Sequence, residues 1–551
     1  MIELSFELRE KLKNLFYKKE FSSIERTIES VGNLADIPID IKKLYAVSKS
    51  LNPKSTKKDF KLASFYFEEI YKKNKSDISM FYNLILTSVK AVYFEYLEPH
   101  LEEQYKKNKK DPKILEGLAK MSTCYGNMEE ASFYYKQLLE IKPNYGGAWK
   151  GFLASLNYHY KYSQAQYLEF CKKFDEILNL NSLDIKKKNF STKIKVGFLS
   201  PNFKSHSVSF FLKDLISHLD QNQFKLYAFS NLELKYHDKV TSILKKNFNS
   251  WHDIHHMPNE DLIKLIRSLD LDILIDLAGY FAGNRVEIFK ARCAPIQISW
   301  LGYCNSLGIK NIDYLIADHN LIKQDEHNRY SEKILYMPNI WNVISKFENF
   351  ENVNINSKNT KNDFVFGSFN NFQKISNNTI KLWSRILNNS NSRLILKNSS
   401  SENLKKINDI ILKKFEKEKV NISKISILNA TNSTEEHLEC YNLIDLSLDT
   451  FPYPGVTTTF ESILMGVPVL TLKGFNFVSR CGESINKTFN LDTFIAFDEE
   501  DYFNKAINFY LDKKNLYEIK KNMRENIRNL IELNSKKFVK DFSFLLKNLM
   551  K

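Results

Sequence analysis

Ala63, Leu97, Ala131 and Ala165 follow one another at intervals of 34 residues, each within a stretch of helical apolar spacing. A recurrence of that length commits the first third of a chain to stacked helix pairs. One pair cannot bury its apolar face alone, so the next pair must cover it. The clearest unit runs from about residue 112 to 145: Leu115, Leu118 and Ala119 mark a first helix, Gly126 a turn, Ala131, Tyr135 and Leu138 a second helix, and Pro143 its stop. The small Ala131 lets the two helices approach closely, and Pro143 lacks the N–H that a continuing helix needs. Trp149 and Phe152 open a further unit, with Ala165 expected at the tight packing position.

These units resemble the tetratricopeptide repeat, whose stacked pairs form a superhelix with a groove for peptides or partner proteins. Residues 1 to about 185 are therefore expected to form a helical-repeat arm that takes a protein or peptide acceptor. After a lysine-rich joint at Asp184 to Asn189 the pattern changes to short apolar runs alternating with helical stretches. Ile194 to Leu199, Phe224 to Phe229, Ile273 to Leu277, Pro295 to Trp300 and Tyr314 to Ala317 read as strands, with helices from near Ser209 and over Glu260 to Leu269. This alternation predicts a doubly wound parallel sheet over 192–345. A polar linker at 346–362 precedes a second such lobe at 363–512, and 513–551 reads as helices packing on the lobes. Two lobes of this kind form a cleft that strand ends and helix N-termini face.

Composition narrows the class. Hydrophobic residues make up 43% and charged residues 26% of the 551, the balance of a globular chain with real cores. The net charge of +15 comes from lysines scattered through every segment, which reads as a solvated surface and not as a nucleic-acid footprint. Six dispersed cysteines, none in a CxxC pair, propose neither a zinc site nor a disulfide framework. No run reaches the ~20 apolar residues that span a bilayer. Met1 is followed by an amphipathic, charged stretch and not by a signal peptide, so a cytoplasmic location is expected.

The segment richest in chemistry is Asp449-Thr450-Phe451-Pro452-Tyr453-Pro454-Gly455-Val456-Thr457-Thr458-Thr459-Phe460-Glu461. A strand ends, a Pro/Gly turn follows, and a helix opens on Thr457, Thr458 and Thr459, where backbone N–H groups and the helix dipole favour a diphosphate. Glu461, one turn on, can accept hydrogen bonds from ribose hydroxyls. The loop after the first strand of the same lobe, Phe369 to Ile375, offers Lys374 as a cation for a leaving diphosphate. His437, at the start of another helix, can stack on or hydrogen-bond a nucleobase. From the first lobe, the loop Ser200 to His206 aims His206 at the cleft.

From about Lys193 to about Glu499 the chain resembles the catalytic region of the O-linked N-acetylglucosamine transferase family and its SPINDLY branch. The matching stretches are the His206 loop, Asp276-Leu277-Ala278-Gly279-Tyr280, Ala294 to Gln297, Trp300 to Tyr303, Tyr330 to Lys333, the Lys374 loop, and Asp449 to Pro468. The resemblance implies tetratricopeptide repeats joined to a GT-B fold of two Rossmann-like lobes. It implies transfer of a sugar from a nucleotide sugar to Ser or Thr of a protein, with inversion and without a metal or other cofactor. By the same resemblance His206 lies near sugar and acceptor, Lys374 on the diphosphate, His437 on the base, Thr457 and Thr458 at the phosphates, and Glu461, in place of an Asp, at the ribose. Asn371 stands where these transferases usually carry Gln, and Gly455 and Thr459 complete the expected donor site. Thr434, Cys440 and Val456 replace the Lys, Arg and His of the N-acetylglucosamine enzymes. The run Asp449 to Tyr453 and the three threonines are closer to the SPINDLY branch, whose plant members use GDP-fucose. UDP-N-acetylglucosamine is the first expectation for the donor, GDP-fucose the second, and a non-catalytic scaffold that binds a nucleotide sugar the rival outside the enzymes.

His206 is either a general base or a positioning group, with positioning preferred. His252, His255 and His256 read as exposed loop histidines, since no carboxylate or Cys stands at matching spacing. Asp270-Leu271-Asp272 reads as a turn at a strand edge and not as a metal-binding DxD.

Overall fold

A computed structural model describes residues 5–180, 182–183, 185, 193–345, 353–355, 364–398 and 403–551, with side chains outside 527–534. Most of the expected linker at 346–362, and most of the joint at 184–189, lie outside the described residues. Residues up to Ala148 form one compact unit, and the bulk of the chain from Trp149 onward forms a second.

The first unit is a run of helices, α1 (Phe6–Tyr17), α2 (Phe21–Glu29), α3 (Ile39–Leu51), α4 (Lys57–Lys73), α5 (Ile78–Ala91), α6 (Glu98–Lys107), α7 (Pro112–Cys124) and α8 (Met128–Ile141), in which successive helices pack on one another except that α5 and α6 both pack on α7. Local chemistry sets their ends. Thr56 and Asp59 form a capping box on α4, and Asp111 caps α7 ahead of Pro112 at its first position. Gly126 turns between α7 and α8 at φ 78°, a conformation that favours glycine. Ala63, Leu97 and Ala131 are fully buried.

The second unit begins with the next pair, α9 (Gly146–Ser155) and α10 (Gln164–Ile177), joined by a single turn at Leu156–Tyr158. Here the repeat expectation fails in one detail. Ala165 is exposed, and the residues that α10 buries are Gln164, Tyr167, Leu168, Cys171, Phe174 and Asp175. The physical reason is that α10 packs on the α/β lobes: Tyr167 Oη lies 2.7 Å from Tyr303 Oη, and Gln164 hydrogen-bonds Asn305 at 2.7 Å. The pair carries the repeat pattern but folds with the lobes.

The first lobe holds β1 (Ile194–Ser200), β2 (Phe224–Ser230), β3 (Ser250–Asp253), β4 (Ile273–Asp276), β5 (Ile296–Ser299), β6 (Tyr314–Ala317) and β7 (Lys333–Tyr336), with α11 (Ser207–His218), α12 (Lys239–Asn247) and α13 (Asn259–Ser268) between strands. The second holds β8 (Val365–Ser368), β9 (Arg393–Lys397), β10 (Ile425–Leu428), β11 (Leu446–Leu448), β12 (Val469–Leu472) and β13 (Ile495–Ala496), with α14 (Asn377–Asn388), α15 (Leu404–Lys417), α16 (Thr434–Glu439), α17 (Thr457–Leu464), α18 (Cys481–Thr488) and α19 (Glu499–Leu511). All strand pairs are parallel, in the orders β3-β2-β1-β4-β5-β6-β7 and β10-β9-β8-β11-β12-β13. Both sheets therefore reverse direction of winding once, between β1 and β4 and between β8 and β11. The carboxyl ends flanking such a switch point are where open α/β sheets bind ligands.

The lobes meet through buried polar groups. Arg480 donates to Glu326 at 2.5 and 2.8 Å, Phe477 N–H to Tyr330 Oη at 3.1 Å, and Ser484 to Asp318 at 2.6 Å. The C-terminal stretch is one helix, α20 (Lys513–Asn548), where several were expected. It packs on α11 of one lobe and α17 of the other, and seats Phe542 4.8 Å from the Trp300 ring. Among the described residues no helix is long and apolar enough to cross a membrane.

Candidate functional site

All four loops that flank the two switch points carry residues singled out above. Asp449 closes β11 and organises the second lobe's loop. Its Oδ1 accepts from Asn370 Nδ2 (2.9 Å), Thr450 N–H (3.0 Å) and Gly455 N–H (2.7 Å), and its Oδ2 from Thr471 (2.8 Å). Burial raises its carboxyl above the ordinary range, against the pull of these hydrogen bonds and the Lys374 charge. The loop it gathers, with a cis Phe451–Pro452 bond, delivers the chain to α17.

That helix opens without a side-chain cap, because Val456 stands at the N-cap and offers no acceptor. The N–H groups of its first turn are thus open to an anion. Thr457 and Thr458 are half-buried beside them, and Thr458 Oγ1 donates to Asn370 Oδ1 at 2.5 Å. Thr459 differs: it is 2% exposed and its hydroxyl is buried without a partner, so it sits behind the surface that the other two threonines present. Gly455 is required by crowding. A β-carbon there would lie 2.5 Å from Thr458 Oγ1 and 2.7 Å from both Asn370 Oδ1 and Thr459 Oγ1.

Lys374 reaches this loop from the end of β8. Its Nζ donates to Pro454 O at 2.8 Å and lies 4.0 Å over the Tyr453 ring. Burial lowers its pKa, which the Asp449 charge opposes. Asn371, expected in the donor site, is exposed and caps the short turn at Phe372–Lys374, accepting from Gln373 N–H at 3.0 Å. Its neighbour Asn370, which the motif reading passed over, is the buried member of the cluster.

A second group lies one turn along α17. Glu461 is 5% exposed, and its Oε2 meets His437 Nε2 at 3.1 Å and Tyr441 Oη at 3.2 Å. His437 Nδ1 lies 2.5 Å from Lys397 Nζ. An ammonium has no acceptor, so Nδ1 accepts and Nε2–H donates to Glu461. Both edges of the imidazole are thereby engaged, and what His437 has left for a base is its face. Lys397, at the carboxyl end of β9, went unnoticed in the sequence; the signal available was a lysine closing a buried apolar strand.

His206 belongs to the other lobe, where it is the N-cap of α11 and its Nδ1 accepts from Val208 N–H at 3.2 Å. Burial, with Lys204 adding to it, lowers its pKa to about 4. The neutral ring with Nδ1 as acceptor carries its proton on Nε2, which makes it a donor. The helices that carry His206 and the threonines touch, with the Phe211 and Phe460 rings 5.6 Å apart. The weaker signals resolve similarly. Asp272 accepts from Lys195 N–H at 2.8 Å in a strand-edge turn. His252 is half-buried on β3 and stacked on Phe229 at 5.3 Å, and His255 is half-buried with its Nδ1 3.2 Å from Asn231 O, so of the three histidines expected to be exposed in a loop only His256 is. Among the described residues no group of three or more His, Cys, Asp or Glu could hold a metal ion.

Two doubly wound sheets that meet at their carboxyl edges, with an anion-ready helix start in the second, define the GT-B class of fold. Residues 152–363 and 353–542 match the model of glycosyl transferase family 41, and the chain belongs to that family. Similar curated relatives include the probable UDP-N-acetylglucosamine–peptide N-acetylglucosaminyltransferases SPINDLY of Solanum lycopersicum, 32% identical over 342 residues (60% of this chain, 36% of the relative), and of Oryza sativa, 30% identical over 406 residues (71% and 43%). The chain thus spans well under half the length of these relatives. A mutant O-GlcNAc transferase from Thermobaculum terrenum superposes with a TM-score of 0.82 over 93% of this chain and 98% of that one; at 21% identity this shows the shared fold.

Proposed function

We propose that the protein transfers a sugar from a nucleoside-diphosphate sugar to a Ser or Thr hydroxyl of a polypeptide, with inversion and without a metal. The observation that carries this reading is the convergence of Lys374 and the uncapped start of α17 on one loop, Lys374 Nζ bonding Pro454 O two residues before the N-cap. As the acceptor oxygen bonds to the anomeric carbon from the opposite face, the glycosyl–oxygen bond breaks and its electron pair passes to the diphosphate. Lys374 and the first-turn N–H groups are in place before that charge appears. The acceptor proton goes to a donor phosphate oxygen or water, because His206 Nε2 already holds a proton; His206 donates to sugar or acceptor and positions it. His437 offers its face to the base, and Glu461 its second oxygen to a ribose hydroxyl. The helical-repeat arm, residues 1 to about 185, takes the polypeptide acceptor.

UDP-N-acetylglucosamine is the first donor, the one for which the plant relatives are named. The Thr434, Cys440 and Val456 positions favour GDP-fucose as the second. Mixing the protein with each labelled donor and a protein acceptor tests both readings. Release of UDP or GDP with label on protein supports transfer, and release of neither from any donor overturns it.

A further inference from the structure

Tyr158 closes the turn between α9 and α10, and the motifs made no use of it. Its ring centroid lies 4.9 Å from that of Tyr453, the planes tilted by 47°. On Tyr453 in turn sits the Lys374 ammonium, 4.0 Å from the ring centroid. The ammonium is thus held by one carbonyl and one ring, and it is placed only as well as that ring is placed. Tyr453 stands between Pro452 and Pro454 and is 8% exposed, so its ring is set by what packs on it.

The turn that carries Tyr158 and the start of α10 that follows it are together anchored to both lobes. Asn157 donates to Tyr303 Oη at 2.8 Å and accepts from Asn305 at 2.8 Å; Gln164 donates to Asn305 at 2.7 Å and accepts from Asn476 at 3.0 Å. We infer that Tyr158 is a positioning residue for Lys374, acting through the Tyr453 ring, so that the last repeat-like helix pair helps set the cation that meets the donor's diphosphate. The inference rests on the donor-site role of Lys374 given above.

The test compares Tyr158→Leu with Tyr158→Phe in the full-length chain. Calorimetry measures affinity for UDP and GDP and for the matching nucleosides, and turnover is measured with the accepted donor. The leucine variant is expected to bind the nucleoside diphosphate roughly tenfold more weakly, the scale of a desolvated cation–ring contact. Affinity for the nucleoside stays unchanged, and kcat falls roughly 10- to 100-fold, as a misplaced catalytic group requires. Phenylalanine restores all three. In a Lys374→Met background the leucine adds no further loss of diphosphate affinity.

Equal losses for nucleoside and nucleoside diphosphate, no loss of either, or an undiminished loss in the Lys374→Met background would overturn the inference. Should the leucine variant fail to fold, Tyr158→Met, which refills the volume without a ring face, carries the same expectation. Absence of nucleoside-diphosphate binding in the wild type is a separate result: it sinks the donor-site reading itself, and Tyr158 with it.

Discussion

The two lobes are built to one plan and finished differently. Each ends a central strand on a buried aspartate whose carboxylate takes a glycine N–H from the following loop: Asp276 from Gly279 at 2.6 Å, and Asp449 from Gly455 at 2.7 Å. Each starts a helix at the switch point, α11 at His206 and α17 at Val456. In the first lobe the helix is capped by the His206 ring, and one oxygen of Asp276 is buried without a partner. In the second the aspartate is bonded at both oxygens and faces Lys374, while the helix start is left open. The first lobe caps its helix N-terminus with its own side chain, and the second leaves it without a side-chain cap. On the proposed reading, that contrast separates a lobe that positions from a lobe that binds charge.

Removing the charge should break the contrast most sharply. Lys374→Ala is expected to lower turnover roughly 10²- to 10³-fold, the scale of losing one preorganised electrostatic group. Near-wild-type kcat would take Lys374 out of the chemistry. Next in size is a paired substitution. Gly455→Ala and Gly279→Ala both force a β-carbon into occupied space, since a β-carbon at Gly279, which also has φ 55°, would lie 2.3 Å from the Tyr303 side chain. Each should lose ~1–3 kcal/mol of stability, seen as a lowered melting temperature. Only Gly455→Ala should also weaken nucleoside-diphosphate binding, by about tenfold or 1.4 kcal/mol, because only it displaces Thr458 and Asn370. Equal effects on binding would erase the distinction between lobes. His206→Asn follows. Asparagine is a good N-cap, so the fold survives and kcat falls by less than about tenfold, as for loss of one orienting hydrogen bond. With the wild-type ring neutral above its pKa of about 4, the pH–rate profile between 5 and 8 should be the same in both proteins. A lost acidic limb in the variant would restore the general base.

What was legible in the sequence follows from where the constraint is local. The 34-residue spacing is readable because a close helix crossing demands a small or buried apolar residue, as at Ala63 and Ala131. It misleads at Ala165, where the helix packs on a lobe far along the chain and turns another face inward. The strands β1, β4 and β11 are visible as buried apolar runs, whereas β3 carries Ser250, His252 and Asp253 and is at most half-buried, β7 is half-buried behind an exposed Lys333, and β13 is two residues long. Lys374, the threonines, His437 and Glu461 sit at strand ends and helix starts, where position alone suggests chemistry. Asn371 is singled out because it stands where the resembling transferases carry Gln, and that its neighbour Asn370 is the buried member shows only once the turn is folded. Lys397 and Tyr158 act only through partners brought to them by the tertiary fold, and nothing near them in the chain announces it.

The smallest effect expected is one of stability and tests the unpaired oxygen in the first lobe. Burial raises the Asp276 carboxyl from 3.8 to about 7, against hydrogen bonds from Gly279 and Ala278. Between these two values the folded chain holds a proton that the unfolded chain has released, so stability falls as pH rises across the window. The stabilisation is full below about pH 4 and gone above about pH 7. Asp276→Asn cannot ionise yet keeps an oxygen for the Gly279 N–H, and Asp449→Asn would instead lose the attraction to Lys374. Thermal unfolding at pH 5 and pH 7 should therefore show the Asp276→Asn variant gaining on the wild type as pH increases, by a few degrees for a change of about 2 kcal/mol. An unchanged difference between the two pH values would mean that the first lobe's aspartate is ionised throughout, and that the two strand-end carboxylates are satisfied alike.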